Sequence, residues 1–159
     1  MKLQSATVLI TGANRGIGLA FARAALLRGA RKVYAGARDP TSETLPGVDV
    51  VQLDVTRPED IAAAEQRCGD LTLLINNAGV AILGGFLFGR QRRRCTCPAR
   101  DQLFRSPATD QGIRSHAGGE WGCAILNVLS IATWVSSPRL ATQSASKSAA
   151  WGAYQRTSP

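Results

Sequence analysis

Short apolar runs alternate along the chain with segments in which small apolar residues recur at helical spacing. Four runs rich in apolar and β-branched residues predict strands: residues 6–11, 32–35, 50–53 and 71–76. Alanine and leucine between Leu19 and Leu27 predict a helix that ends near Gly29, and Pro58 predicts the first residue of a second helix. Strands and helices in this order are typical of a doubly wound α/β sheet.

The pattern changes abruptly after Phe88. Residues 89–122 show neither a period of two nor a clear period of 3.6, whereas AILNVLS at 124–130 predicts a fifth strand and SASKSAAW at 144–151 a helix. We therefore expect a Rossmann-type half over residues 1–88 and an irregular insert over 89–122. A remnant strand and helix over 123–151 and a tail over 152–159 follow. The parallel sheet is expected to be incomplete on its C-terminal side.

Length and charge limit the possible functions. A chain of 159 residues can form one domain with a real core, and its net charge is +8. Seven arginines against three acidic residues place +4 of that charge within residues 89–122. The run Arg90–Arg94 leaves a basic nucleic-acid-binding adaptor open as an alternative. No aromatic platform, recognition helix or zinc motif accompanies the run, so we expect no nucleic-acid partner.

Metal, membrane and export functions lack sequence support. Four cysteines lack the paired spacing of a zinc site, and His116 is the single histidine, so we expect no metal. No apolar run is long enough to span a bilayer. The first apolar stretch breaks at Thr11 and Gly12, too early for a signal peptide. The expected location is the cytoplasm.

The segment TGANRGIG, residues 11–18, joins the first predicted strand to the first predicted helix. Glycines allow a tight turn and a close approach of the backbone to a pyrophosphate. The following helix N-terminus supplies unpaired N–H groups and the positive end of a dipole. The position between strand and helix favours dinucleotide binding over simple helix packing.

Three features together resemble the short-chain dehydrogenase/reductase family over roughly residues 5–85 and 124–151. TGANRGIG is similar to the family's TGxxxGxG turn, and NNAG at 76–79 is similar to its NNAG motif. Asp54 matches the aspartate that hydrogen-bonds the adenine ring. The resemblance and the turn imply these cofactor-binding residues: Thr11, Gly12, Asn14, Arg15, Gly16, Ile17, Gly18, Arg38, Asp54, Asn76, Ala78 and Gly79.

The end of the second predicted strand indicates which dinucleotide binds. An acidic residue there would hold a ribose 2′-hydroxyl, whereas an arginine suits a 2′-phosphate. The strand runs into Arg38, and Asp39 lies one residue beyond the usual acidic position. Arg15 adds a positive charge within the glycine turn. NADP is therefore the expected cofactor, ahead of NAD.

The resemblance implies a catalytic serine, tyrosine, lysine and asparagine. Ser130 matches the serine and Lys147 the lysine, but the tyrosine position holds Gln143, and no residue in 89–122 matches the asparagine. Glutamine cannot exchange a proton near neutral pH. The chain is therefore expected to be an oxidoreductase of carbonyl or alcohol substrates. With glutamine at the tyrosine position, its catalytic activity is expected to be absent or impaired. A non-catalytic NADP-binding module is the alternative.

A change of reading frame accounts for the departures at 89–122 and 152–159. Read one nucleotide later, the possible codons for Arg100–Trp121 permit a sequence resembling the family's missing helix and its asparagine. The same shift after Trp151 permits a continuation of the tyrosine–lysine helix. We interpret both segments as out-of-frame peptide in a truncated chain. The family's dimer helices are then replaced or cut short, so a homo-oligomer is not expected.

Overall fold

The computed structural model describes residues 2–79, 124–130, 134, 144, 147, 148 and 151. The chain divides into two compact units. The first takes residues 1–78 and 109–128, and the second takes residues 79–108 and 129–159. The predicted segments 89–122 and 152–159 lie outside the described residues, as does Gln143.

A parallel sheet of five strands forms the first unit. The strands are β1 (Thr7–Thr11), β2 (Lys32–Ala37), β3 (Asp49–Gln52), β4 (Leu73–Asn76) and β5 (Ala124–Asn127). Their order across the sheet is β3-β2-β1-β4-β5, and every neighbouring pair is parallel. Strands β2 and β3 are added on one side of β1, and β4 and β5 are added on the other side. This reversal of strand order is that of a doubly wound Rossmann sheet. The predicted α/β fold class is confirmed.

Two helices and one short 3-10 helix connect these strands. Helix α1 (Gly16–Leu27) follows β1, the 3-10 helix (Pro40–Ser42) follows β2, and α2 (Pro58–Arg67) follows β3. Gly29, with φ of 76°, ends α1 as predicted. Helix α1 begins at Gly16, whereas Leu19 was the expected start.

Strand limits differ from the expected ones by a few residues. Strand β2 continues to Ala37, two residues beyond its predicted end, while β5 stops at Asn127 rather than residue 130. The extra residues of β2 pair with β3, where Ala37 faces Gln52. Ladder pairing with a neighbouring strand, which local composition does not encode, sets these limits.

Apolar side chains bury both faces of the sheet, as the unbroken apolar runs require. One face carries Leu9, Tyr34 and Leu74 with the inner residues of α2, Ile61 and Ala64. The other face carries alternate residues of β1 and β2 with the small residues of α1: Ala6, Val8, Ile10, Val33, Ala35, Ala22 and Ala25. Alanine on α1 lets that helix approach the strands closely.

In the second unit, Ser144, Lys147, Ser148 and Trp151 have helical backbone, in agreement with the helix predicted over 144–151. The Trp134 and Trp151 rings meet edge to face with centroids 6.1 Å apart. Within the part of the chain that the structure describes, no helix has the length and apolar character needed to cross a membrane.

Candidate functional site

The carboxyl ends of the parallel strands share one edge of the sheet, and the cofactor residues predicted in the first unit follow those ends. Thr11 closes β1, Arg38 follows β2, Asp54 follows β3 and Asn76 closes β4. In an open α/β sheet, ligands bind at this edge, next to the point where the strand order reverses. That point lies between β1 and β4, where the glycine turn emerges.

Thr11 and Asn77 hold the glycine turn against the end of β4. The Thr11 hydroxyl oxygen accepts hydrogen bonds from the main-chain N–H groups of Asn77 (3.0 Å) and Ala78 (2.9 Å). The Asn77 side-chain amide donates to the carbonyl oxygens of Thr11 (3.0 Å) and Gly12 (3.1 Å). Thr11 is buried. These four bonds satisfy polar groups that would otherwise be left unpaired beside the core.

At two positions of the turn, neighbouring atoms leave no room for a Cβ, so only glycine fits. A Cβ on Gly18 would lie 2.5 Å from Nδ2 of Asn77 and would overlap the carbonyl oxygen of Gly12. A Cβ on Gly12 would lie 3.1 Å from the Cα of Ala78, and φ at Gly12 is 68°. Gly16 has φ of 56°, and no atom of the described residues lies within 4 Å of a Cβ built on it. The turn is compact on its inner side and open at Gly16.

The N-terminus of α1 is suited to an anion. Arg15 occupies the N-cap position with extended backbone. Among the residues that the structure describes, its side chain makes no cap hydrogen bond, and the first turn carries no acidic residue. Helix α2, by contrast, has Glu59 and Asp60 in its first turn. The N–H groups and the dipole of α1 are thus available to a phosphate. The open side of Gly16 gives room for the pyrophosphate of a dinucleotide, so these residues fit that group.

The 3-10 helix after β2 is attached to the glycine turn. The Asn14 side-chain amide donates a 2.9 Å hydrogen bond to the Ser42 hydroxyl, which itself donates to the carbonyl oxygen of Asp39. The Asp39 carboxylate accepts from the main-chain N–H (3.0 Å) and the hydroxyl (2.7 Å) of Thr41. These two bonds lower the pKa of Asp39, which is charged at neutral pH. Arg38 is exposed beside it.

Asp54, after β3, is held like Asp39 by a threonine two residues further along the chain. Its Oδ1 accepts from the main-chain N–H (2.9 Å) and the hydroxyl (2.6 Å) of Thr56, and Asp60 Oδ2 accepts from the Asp54 N–H. Asp54 is half-buried. Its carboxylate is therefore fixed in direction at the sheet edge.

Both asparagines of the NNAG segment make side-chain hydrogen bonds at the carboxyl end of the sheet. Asn76 donates a 2.9 Å side-chain hydrogen bond to Asn127, which ties the ends of β4 and β5 together. Asn77, absent from the predicted site residues, makes the direct contacts with the glycine turn. The NNAG motif could have indicated Asn77 as a site residue. The motif alone does not show which of its two asparagines points towards β1, because that depends on the strand register. Ile17 is largely exposed next to the turn, while Gly79 belongs to the second unit.

The second unit contains all three predicted catalytic positions, and the structure describes two of them, Ser130 and Lys147. Ser130 and Lys147 are both half-buried, and burial lowers the pKa of the Lys147 ammonium. Ser144, one turn before Ser148 on the same helical segment, is buried. Gln143 lies outside the described residues, so its assignment to the tyrosine position stays a prediction.

Comparison with known proteins agrees with this architecture. The family model described as short chain dehydrogenase matches residues 6–157. The 3-beta-hydroxysteroid dehydrogenase of Comamonas testosteroni is 30% identical over 159 residues, which cover 93% of this chain and 61% of that protein. The chain thus spans about three fifths of that relative's length.

Solved structures show the same fold. A short chain dehydrogenase from Burkholderia cenocepacia in complex with NADP superposes with a TM-score of 0.92 at 35% identity. The match covers 98% of this chain and 66% of that one. A metagenomic short-chain oxidoreductase in complex with NADP gives a TM-score of 0.84 at 25% identity, covering 98% and 75%. With the family model spanning most of its length, the chain belongs to the short-chain dehydrogenase/reductase family of oxidoreductases.

Proposed function

We propose that this chain binds NADP through its first unit and that its oxidoreductase chemistry on a carbonyl or alcohol substrate is lost or severely impaired. The geometry of the glycine turn is the main observation that supports NADP binding. Thr11 and Asn77 hold its backbone by hydrogen bonds. It leads into a helix N-terminus that has no side-chain cap within the described part of the chain. That arrangement needs no further residue to receive a pyrophosphate.

Two sets of hydrogen bonds and the exposure of two arginines support a role for the neighbouring side chains. Asp54, fixed by Thr56, offers a directed carboxylate to the adenine ring. Arg15 and Arg38 are exposed on the turn and on the loop after β2, where a 2′-phosphate would lie. Asp39, the acid nearest to that position, is already held by Thr41. Two related solved structures contain NADP. We infer NADP rather than NAD.

The proposed loss of catalysis follows from Gln143. When bound, the nicotinamide would supply the hydride for reduction of a carbonyl or accept it in oxidation of an alcohol. The protein would correspondingly have to supply a proton to the substrate oxygen or remove one from it. Ser130 would hold that oxygen, and Lys147 would lower the pKa of an adjacent tyrosine. A glutamine between them cannot transfer the proton, which costs on the order of 10²–10⁴ in rate. The unmatched asparagine removes a further part of the relay.

We also propose that residues 89–122 and 152–159 are translated out of frame. The support is that no residue in 89–122 matches the family's catalytic asparagine, and that codons read one nucleotide later permit a family-like sequence in both segments. Sequencing the gene and its transcript through codons 86–124 and 150–159 tests the proposal. A nucleotide sequence that encodes the present residues without any inserted or missing base would overturn it.

One titration series tests the main proposal. The full chain should bind NADPH more tightly than NADH, measured by calorimetry. Arg38→Ala should narrow that difference because it removes a partner of the 2′-phosphate. Arg28→Ala, an exposed arginine at the far end of α1, is the matched control and should leave the difference unchanged. Equal affinities in the unaltered chain contradict the NADP assignment, and measurable carbonyl reduction by that chain contradicts the loss of catalysis.

A further inference from the structure

Asp39 presents a problem for any NADP site at this edge of the sheet. It directly follows Arg38 at the end of β2, it is exposed, and its lowered pKa keeps it charged. A carboxylate at this edge attracts a ribose 2′-hydroxyl and repels a 2′-phosphate. An arginine and an aspartate side by side therefore favour opposite cofactors.

The hydrogen bonds of the loop restrain Asp39 more than Arg38 among the described residues. Oδ1 of Asp39 accepts both donors of Thr41, at 2.7 Å from the hydroxyl and 3.0 Å from the N–H. The main-chain carbonyl of Asp39 accepts from Ser42, which Asn14 links to the glycine turn. Both the side chain and the backbone of Asp39 are thus held within the loop. Arg38 has no equivalent attachment among the bonds of the described residues.

We propose that Thr41 is a positioning residue that determines cofactor preference by holding the Asp39 carboxylate away from the 2′-position. The inference rests on the proposed function, since it concerns the same dinucleotide site. With Asp39 held by Thr41, the positive charges of Arg38 and Arg15 dominate the field at the 2′-position. Without the Thr41 hydroxyl, Asp39 keeps a single donor and can turn towards the ribose.

The neighbouring strand supplies an internal control. Thr56 donates to Asp54 after β3 with the same two bonds, 2.6 Å from the hydroxyl and 2.9 Å from the N–H. Asp54 would face the adenine ring, which NADP and NAD share. Removing the Thr56 hydroxyl should weaken binding of both cofactors alike, whereas removing the Thr41 hydroxyl should change their ratio.

The experiment uses adenosine 2′,5′-bisphosphate and 5′-AMP as probes, because these fragments differ only in the 2′-phosphate. Calorimetric dissociation constants are measured for the full unaltered chain, Thr41→Val and Thr56→Val. Thr41→Val should lower the preference for the bisphosphate by about threefold, as expected for one charge at an exposed site. Thr56→Val should leave that preference unchanged while it weakens both probes.

A double-substitution cycle separates positioning from a general loss of structure. In an Asp39→Asn background the released side chain carries no charge, so adding Thr41→Val should leave the preference unchanged. A preference that is unchanged by Thr41→Val alone overturns the inference but leaves NADP binding intact. A preference that falls equally in the Asp39→Asn background also overturns it. If the unaltered chain binds neither probe, the proposed function fails as well.

Discussion

Asn77 Nδ2 donates a 3.1 Å hydrogen bond to the main-chain carbonyl of Gly12 across the boundary between β4 and the glycine turn. The same amide also donates to the carbonyl of Thr11 at 3.0 Å. One side chain thus fixes two consecutive peptide units at the place where a pyrophosphate would bind. Because these units set the direction of the turn, Asn77 connects the central strands of the sheet to the geometry of the candidate site.

Asn77→Ala should therefore reduce both stability and dinucleotide binding. Removing the amide leaves two carbonyl groups short of a donor, at a cost of about 1–3 kcal/mol in the free energy of unfolding. The turn then loses its fixed direction, and NADPH affinity should fall at least tenfold. Chemical denaturation followed by circular dichroism measures the first effect, and calorimetry measures the second.

Thr72→Val is the matched control for Asn77→Ala. The Thr72 hydroxyl accepts from the Thr7 N–H at 3.0 Å and donates to the Thr7 carbonyl at 3.1 Å, at the amino ends of the strands. Its loss should destabilise the protein similarly without changing NADPH affinity. An equal loss of affinity in both variants would show that Asn77 acts only through global stability.

Gly18→Ala should be among the most damaging single-methyl additions in this region. The new Cβ would overlap the Gly12 carbonyl oxygen, which is backbone and cannot move aside without opening the turn. We expect a loss of about 1–3 kcal/mol in unfolding free energy and no detectable NADPH binding. Gly69→Ala provides the comparison, since a Cβ there meets no atom of the described residues within 4 Å. Normal NADPH binding by Gly18→Ala would contradict the tight contact.

The strands were predictable because burial on both faces demands unbroken apolar runs. The start of α1 was not, because Gly16 and Gly18 disfavour a helix and only the tertiary contacts of the turn override that preference. The glycine turn itself was predictable, since its residues are dictated by close packing. The hydrogen bonds of Thr41 and Thr56 were not, because they depend on backbone directions after β2 and β3 that composition does not encode.

The buried thiol of Cys68 should make stability depend on alkaline pH. Burial raises its pKa from 9.0 to about 11. Its stabilising contribution is therefore complete below pH 9 and is lost as pH rises towards 11. Burial also raises the pKa of Tyr34, which acts in the same direction. Unfolding free energy should fall over this range, and Cys68→Ala should reduce the slope. An unchanged slope in Cys68→Ala would contradict the buried state of the thiol.

The same burial predicts low reactivity for Cys68. Only the thiolate is nucleophilic, so iodoacetamide at about pH 8 should leave Cys68 unmodified in the folded chain. Mass spectrometry of the digested protein should find it alkylated after denaturation in guanidinium. Rapid modification without denaturant would show that the contact between α2 and the sheet opens readily.

Restoring catalysis should require more than one substitution. If Gln143 occupies the tyrosine position, as we propose, Gln143→Tyr alone supplies a proton donor. It does not supply the relay asparagine or the residues that the proposed frame correction would place after Trp151, so it should restore little activity. Correcting both reading frames together with Gln143→Tyr should yield a protein that oxidises NADPH in the presence of an aldehyde or ketone. The decrease in absorbance of the reduced nicotinamide with time measures this turnover.

Lys147→Ala in the corrected chain tests whether the restored activity uses the proposed site. Lys147 is half-buried and its pKa is lowered by burial, so its charge lies in surroundings that screen it weakly. That charge should lower the pKa of the introduced tyrosine, and its removal should move the pH–rate profile to higher pH as well as reduce turnover. Unchanged turnover after Lys147→Ala would assign the activity to another site. A corrected chain that binds NADPH but reduces nothing across a broad carbonyl panel would count against the oxidoreductase proposal.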